Sequence, residues 1–129
     1  MTRVLALIFA SLLMPLALAQ DPQEASRERL VKEMDHSMQI CELVLETKTR
    51  FTNARQGLLQ TTKDIGRCLH VLCNNPDFKN DNEYSGLITA SSGYLGKMRI
   101  MINTENYEDT VVAFGKLQKT CSECHDKFR

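Results

Sequence analysis

Apolar residues along this chain recur every three or four positions and do not alternate, a spacing that predicts helices. Val31, Met34, Met38, Cys41 and Leu45 step by three, four, three and four, marking one face of a helix over roughly Pro22 to Thr49. Ser26 with Arg27-Glu28-Arg29 offers an entry, with Asp21-Pro22 as an earlier start. Phe51, Ala54, Leu58, Ile65, Leu69 and Leu72 form a second stripe from about Arg50 to Leu72. Gly57 and Gly66 each weaken that helix by about 1 kcal/mol relative to alanine where they face water. Asn74-Asn75-Pro76-Asp77 breaks the chain, and Asn80-Asp81-Asn82 continues the polar loop. Tyr84, Leu87, Ser91, Tyr94, Met98 and Met101 make a third stripe, in which Ser91 and Gly93 would let a neighbour approach closely. Asn103 to Asn106 is a short turn, with Asn106 and Asp109 as a capping pair. The last helix carries Tyr107, Val111, Phe114, Leu117, Cys121, Cys124 and Phe128 and runs about 33 Å. Four single-striped helices with short connections predict an all-α, antiparallel four-helix bundle. A three-helix arrangement, with the second helix broken at Gly66, is the alternative.

Length and composition narrow this picture. At 129 residues with 43% hydrophobic content, the chain supports one packed domain and is not disordered throughout. Residues 1–19 stand apart from it. Arg3 precedes the apolar run Val4 to Leu13, Pro15 follows, and Ala17-Leu18-Ala19 gives a small-x-small cleavage pattern before Gln20. That run is short for a membrane span and reads as a secretory signal peptide, with an uncleaved N-terminal anchor as the competing reading. Removal leaves a domain at 20–129 of about 110 residues, without a transmembrane segment and with a net charge near −1. Such a balance offers no field for a nucleic-acid backbone. Export to the periplasm would expose the 5 cysteines to an oxidising compartment, although an odd number cannot all pair within one chain.

The strongest chemical signal is Cys121-Ser122-Glu123-Cys124-His125. A Cys-x-x-Cys-His run is the attachment site of haem c. Cysteines three apart point to one side and can each form a thioether with one haem vinyl group. The adjacent histidine then supplies the axial imidazole to the iron. A redox-active Cys-x-x-Cys would want a βαβ setting, which this pattern lacks. A zinc site would need further ligands, and only Cys68, His70 and Cys73 could offer them.

The place of the motif, at the close of the final helix, resembles the cytochrome c′ family of class II c-type cytochromes. These are four-helix bundles whose chains end in Cys-x-x-Cys-His, two residues, an aromatic and a basic residue. His125-Asp126-Lys127-Phe128-Arg129 matches that ending. The mature chain is short for that family, and its third helix lacks the tryptophan many members carry. The resemblance implies that Arg129 flanks the haem and that Arg27 pairs with a haem propionate. It also implies that Val31, four residues after Arg27 and seven before Met38, caps the sixth iron position without binding it. Met34, one turn further on, is the alternative sixth ligand; its competing reading is core packing, as for Met38. Arg129 also suits the end of a helix dipole, and Arg27 a solvated surface.

Three cysteines are left over. Cys41 lies on the first stripe and reads as a buried thiol. Cys68 and Cys73 could form a disulfide or an intermolecular bridge. His70 reads as structural and His36 as exposed. Taken with the resemblance, the chain is expected to be an electron carrier with five-coordinate iron that meets redox partner proteins. The alternative is binding of nitric oxide (NO) or carbon monoxide (CO) at an open distal site. No distal histidine or carboxylate is identifiable that could cleave a peroxide bond, so no enzyme is expected. A homodimer, as the resemblance suggests, would use apolar residues off the main stripe such as Ile40 or Val44.

Overall fold

The computed structural model describes residues 22–128. Its elements are helices: α1 (Pro22–Leu45), α2 (Lys48–Asn53), α3 (Arg55–Cys73), α4 (Asn82–Asn103) and α5 (Tyr107–Lys127), with no strand among the described residues. None of them is long and apolar enough to cross a membrane. α4 packs most extensively on α5, α3 lies against both α1 and α4, and α1 touches α5.

The helices begin and end where side chains satisfy the exposed backbone groups. Thr47 accepts from the Arg50 amide at 3.1 Å and opens α2, so α1 stops at Leu45, short of the predicted Thr49. The expected single helix from Arg50 to Leu72 is interrupted at Ala54 (φ −107°, ψ 15°), and α3 runs unbroken through Gly66. The bend at Ala54 keeps the hydrogen-bond ladder on both sides, Ala54 N to Arg50 O and Leu58 N to Ala54 O, each at 2.9 Å. It lets Phe51 stay buried against Tyr107, their ring centroids 5.5 Å apart. Asp81 caps α4 by accepting from the Tyr84 amide, and Asn106 caps α5 by accepting from the Asp109 amide, the latter as the sequence predicts.

Burial follows the predicted period with informative shifts of face. In α1 the buried side holds Ser37, Cys41 and Leu45, flanked by half-buried Leu30, Met34 and Met38, while Val31 is exposed. In α4 the core takes Tyr84, Ile88, Ser91, Leu95, Met98 and Ile102. Leu87, Tyr94 and Met101 stay half-buried at the flank, since a helix packed on two sides has two inner edges. Gly93 faces open space, and a Cβ at Gly66 would meet Leu95 at 3.6 Å, an ordinary contact, so neither position requires glycine for close approach.

The interior also holds hydroxyls that an apolar count overlooks. Thr61, Thr62, Thr110 and Thr120 are buried, and each hydroxyl donates to a carbonyl three or four residues back along its own helix. Ser91 and Thr120 also share a buried hydrogen bond at 2.7 Å across the α4–α5 interface. Tyr84 donates its hydroxyl to the Leu72 carbonyl at 2.6 Å, and Tyr107 to the Leu45 carbonyl at 2.7 Å. These bonds leave no buried side-chain nitrogen or oxygen without a partner among the described residues.

Leu117 is fully buried and Val111 is 39% exposed, although both fall on the stripe read from the sequence. Leu117→Ala should therefore lower unfolding stability by about 2–5 kcal/mol. Val111→Ala should change it by no more than about 0.5 kcal/mol in the same urea titration.

Candidate functional site

The cysteines of the Cys-x-x-Cys-His motif occupy the last two turns of α5. Three residues apart on a helix, Cys121 and Cys124 share a face; both are half-buried and packed against the core cluster. His125, one residue further round, is exposed. Burial raises the Cys121 thiol from 9.0 to about 11, opposed in part by a hydrogen bond from Ser91. Cys124 is raised by burial as well. Both therefore stay protonated at neutral pH.

Several segments converge around the motif. Phe78 from the α3–α4 loop, Tyr84 from the first turn of α4 and Phe128 at the end of α5 form a cluster of rings with centroids 5.2–5.3 Å apart. Burial raises the Tyr84 phenol, and the neighbouring Cys124 adds to that. Two ion pairs lie on the outside of this end. Arg27 of α1 meets Asp77 of the loop at 2.7 Å, and Lys127 of α5 meets Glu83 of α4. Both pairs are about half exposed and contribute little stability, but they show which segments meet. Arg27 is thus brought to the motif's end of the molecule, where it also acts on Tyr84.

The other candidates are placed differently. Met34 is half-buried against the core, whereas Val31 is 45% exposed, so the inward face of α1 presents the methionine. Arg129 and residues 1–19, read from the sequence as a signal peptide, lie outside the described residues. Cys41 is fully buried, Cys68 buried and Cys73 exposed; all are free thiols, so the disulfide considered for Cys68 and Cys73 is not formed. His36 and His70 are exposed. Ile40 and Val44 are half-buried, while Leu43 is 56% exposed.

The chemistry of this donor set can be weighed against the three uses a Cys-x-x-Cys-His run allows. A redox-active cysteine needs a depressed pKa, helped by a helix N-terminus. Here the thiols are raised and sit at a helix C-terminus, whose dipole disfavours a thiolate. Among the described residues no three His, Cys, Asp or Glu side chains come together to hold a metal ion, so a zinc centre has no ligand set. Two protonated thiols on one face, an imidazole beside them and an aromatic surround fit a covalently held haem. Phe78, Asp77 and the Ser91–Thr120 pair were not singled out from the sequence as site residues. An aromatic in the polar loop was the one signal available for Phe78.

Cys41 gives a test of the packing of the core. Burial pushes it from 9.0 to about 12, so the unfolded chain releases this proton near pH 9 while the folded chain retains it. Stability is then lost as pH rises from 9 to 12, and Cys41→Ala should make that fall shallower in pH-dependent thermal melts. Equal slopes would contradict the burial. The chain matches no family model, no curated protein and no solved structure.

Proposed function

We propose that this chain is an exported c-type haem protein, an antiparallel four-helix bundle that carries electrons between redox partner proteins in the periplasm. The observation that supports it most is the end of α5, where Cys121 and Cys124 share one inward face, His125 follows, and Phe78, Tyr84 and Phe128 gather alongside. The pairing of α1 with α3, α3 with α4, α4 with α5 and α5 with α1 supports the bundle, as do the short connections.

Cys121 and Cys124 would hold the haem. Each S–H would add across one vinyl C=C, the sulfur bonding one carbon and the hydrogen ending on the other. His125 would supply the axial imidazole, and the bound group would supply a one-electron ferric/ferrous couple. Arg27 would turn from Asp77 to a propionate, and Arg129, four residues after His125, would flank the imidazole. The phenylalanines and Tyr84 would limit water at the attachment edge. We assign no catalytic residue, and a homodimer would use α1 around Ile40 and Val44.

A second reading, capture of NO or CO at an open sixth position, has one observation in its favour. Val31, at the position the family resemblance gives to the distal cap, is aliphatic and offers no ligand atom. Met34, turned inward on the same helix, favours the carrier.

These readings separate in one preparation. Protein made in a host that matures c-type haem should carry one haem per chain by alkaline pyridine absorption, and none in Cys121→Ala/Cys124→Ala. Colourless wild-type protein would defeat the proposal. A high-spin ferric spectrum with CO binding on reduction assigns an open site. A low-spin spectrum with a methionine-to-iron charge-transfer band, lost in Met34→Leu, assigns Met34 as the ligand.

A further inference from the structure

The outer face of α3 and α4 carries a groove of about 460 Å³ that none of the residues around Cys121 enters. It is lined by Lys63, Gly66, Arg67, His70, Val71 and Arg99. Its surface is mainly apolar: Gly66 presents no side chain, and Val71 stands 54% exposed. Ile100, beside Arg99, is a second aliphatic left 58% exposed on the same helix. Lys63, Arg67 and Arg99 set cations around this floor.

The charge there is not balanced locally. Asp64 is the one carboxylate on α3, and it meets Arg67 at 2.6 Å in an exposed pair that water screens. α4 has a single carboxylate, Glu83 in its first turn, which is engaged with Lys127. On a chain whose formal charge is 0, this leaves a basic groove. Among the described residues the other carboxylates stand on α1, on α5 (Glu108, Asp109, Glu123 and Asp126) and in the connecting loops.

We propose that this groove is a docking surface for an acidic protein partner, one that presents an aliphatic or aromatic side chain among carboxylates. An exposed aliphatic, Val71, rimmed by arginine and lysine is the complement of such a surface, the apolar contact giving affinity and the charges giving orientation and encounter rate. The groove is open to solvent along most of its boundary, so a small molecule would remain largely hydrated in it. Three cations would hold a nucleic acid or an anionic bilayer only weakly, at about 1 kcal/mol per basic residue for the bilayer. The docking surface stands whether or not the chain carries haem.

The probe is a fluorescein-labelled twelve-residue peptide of glutamate with two central leucines, followed by anisotropy in low salt against the full mature protein. Binding is expected to weaken about tenfold in Lys63→Gln/Arg99→Gln and less than about twofold in Lys116→Gln/Lys119→Gln, which removes equal charge from α5. The Gly66 and Val71 amide resonances should shift on titration. Circular dichroism of these exposed-site variants checks that they fold as the parent does. Absence of binding by the parent, equal losses in the two variants, or equal affinity for a peptide with serine in place of leucine would each overturn the proposal. So would tighter, Lys63- and Arg99-dependent binding to phosphatidylglycerol vesicles, which would assign the groove to a lipid surface.

Discussion

The hydrogen bond between Ser91 and Thr120, buried where α4 meets α5, is the constraint on which the geometry of the candidate site depends. Thr120 keeps a bond to the Leu117 carbonyl of its own helix, so sliding either helix would leave the buried Ser91 hydroxyl without this partner, at about 1–3 kcal/mol. Thr120 immediately precedes the motif. Once its side chain is fixed inward, helical geometry turns Cys121 and Cys124 toward the core and leaves His125 in water. Ser91 also stands by Cys121, where it opposes in part the effect of burial on that thiol.

The same economy runs through the interior. Threonines at 61, 62, 110 and 120 are admitted because their hydroxyls fold back onto carbonyls of their own helices, which keeps their methyl groups available for packing. Tyr84 and Tyr107 send their hydroxyls to the carbonyls of Leu72 and Leu45, tying the ends of α3 and α1 to α4 and α5. The Tyr84 bond thus holds the motif's end of the bundle and the Tyr107 bond the opposite one. Cations outnumber carboxylates around the α3–α4 groove, whereas the carboxylates stand chiefly on α1, on α5 and in the loops.

Much of this is legible in the sequence, and the exceptions have physical causes. Helical periodicity marks the long helices, and Cys121-Ser122-Glu123-Cys124-His125 stands out by residue type and spacing alone. The inner face of α4 was ambiguous because Tyr84, Ser91 and Met98 belong equally to a stripe through Leu87, Tyr94 and Met101 and to one through Ile88, Leu95 and Ile102. Only the neighbours on both sides decide between them. Val31 and Leu30 differ by one position, or 100° of helix, and the entry angle of α1 selects the leucine. The bend at Ala54 has no glycine or proline to announce it. Pairings across the fold, Arg27 with Asp77 or Phe78 with Phe128, depend on which loops meet and leave no local trace.

The central claim is that Cys121 and Cys124 are thioether ligands of a single haem. It is tested most directly by mass spectrometry of the peptide containing residues 120–127, taken from the mature protein after denaturation and treatment with a thiol-alkylating reagent. The account predicts one peptide that carries a haem bonded to both cysteines and takes up no alkyl group at either. A peptide alkylated at Cys121 and Cys124, with no haem mass, would contradict it.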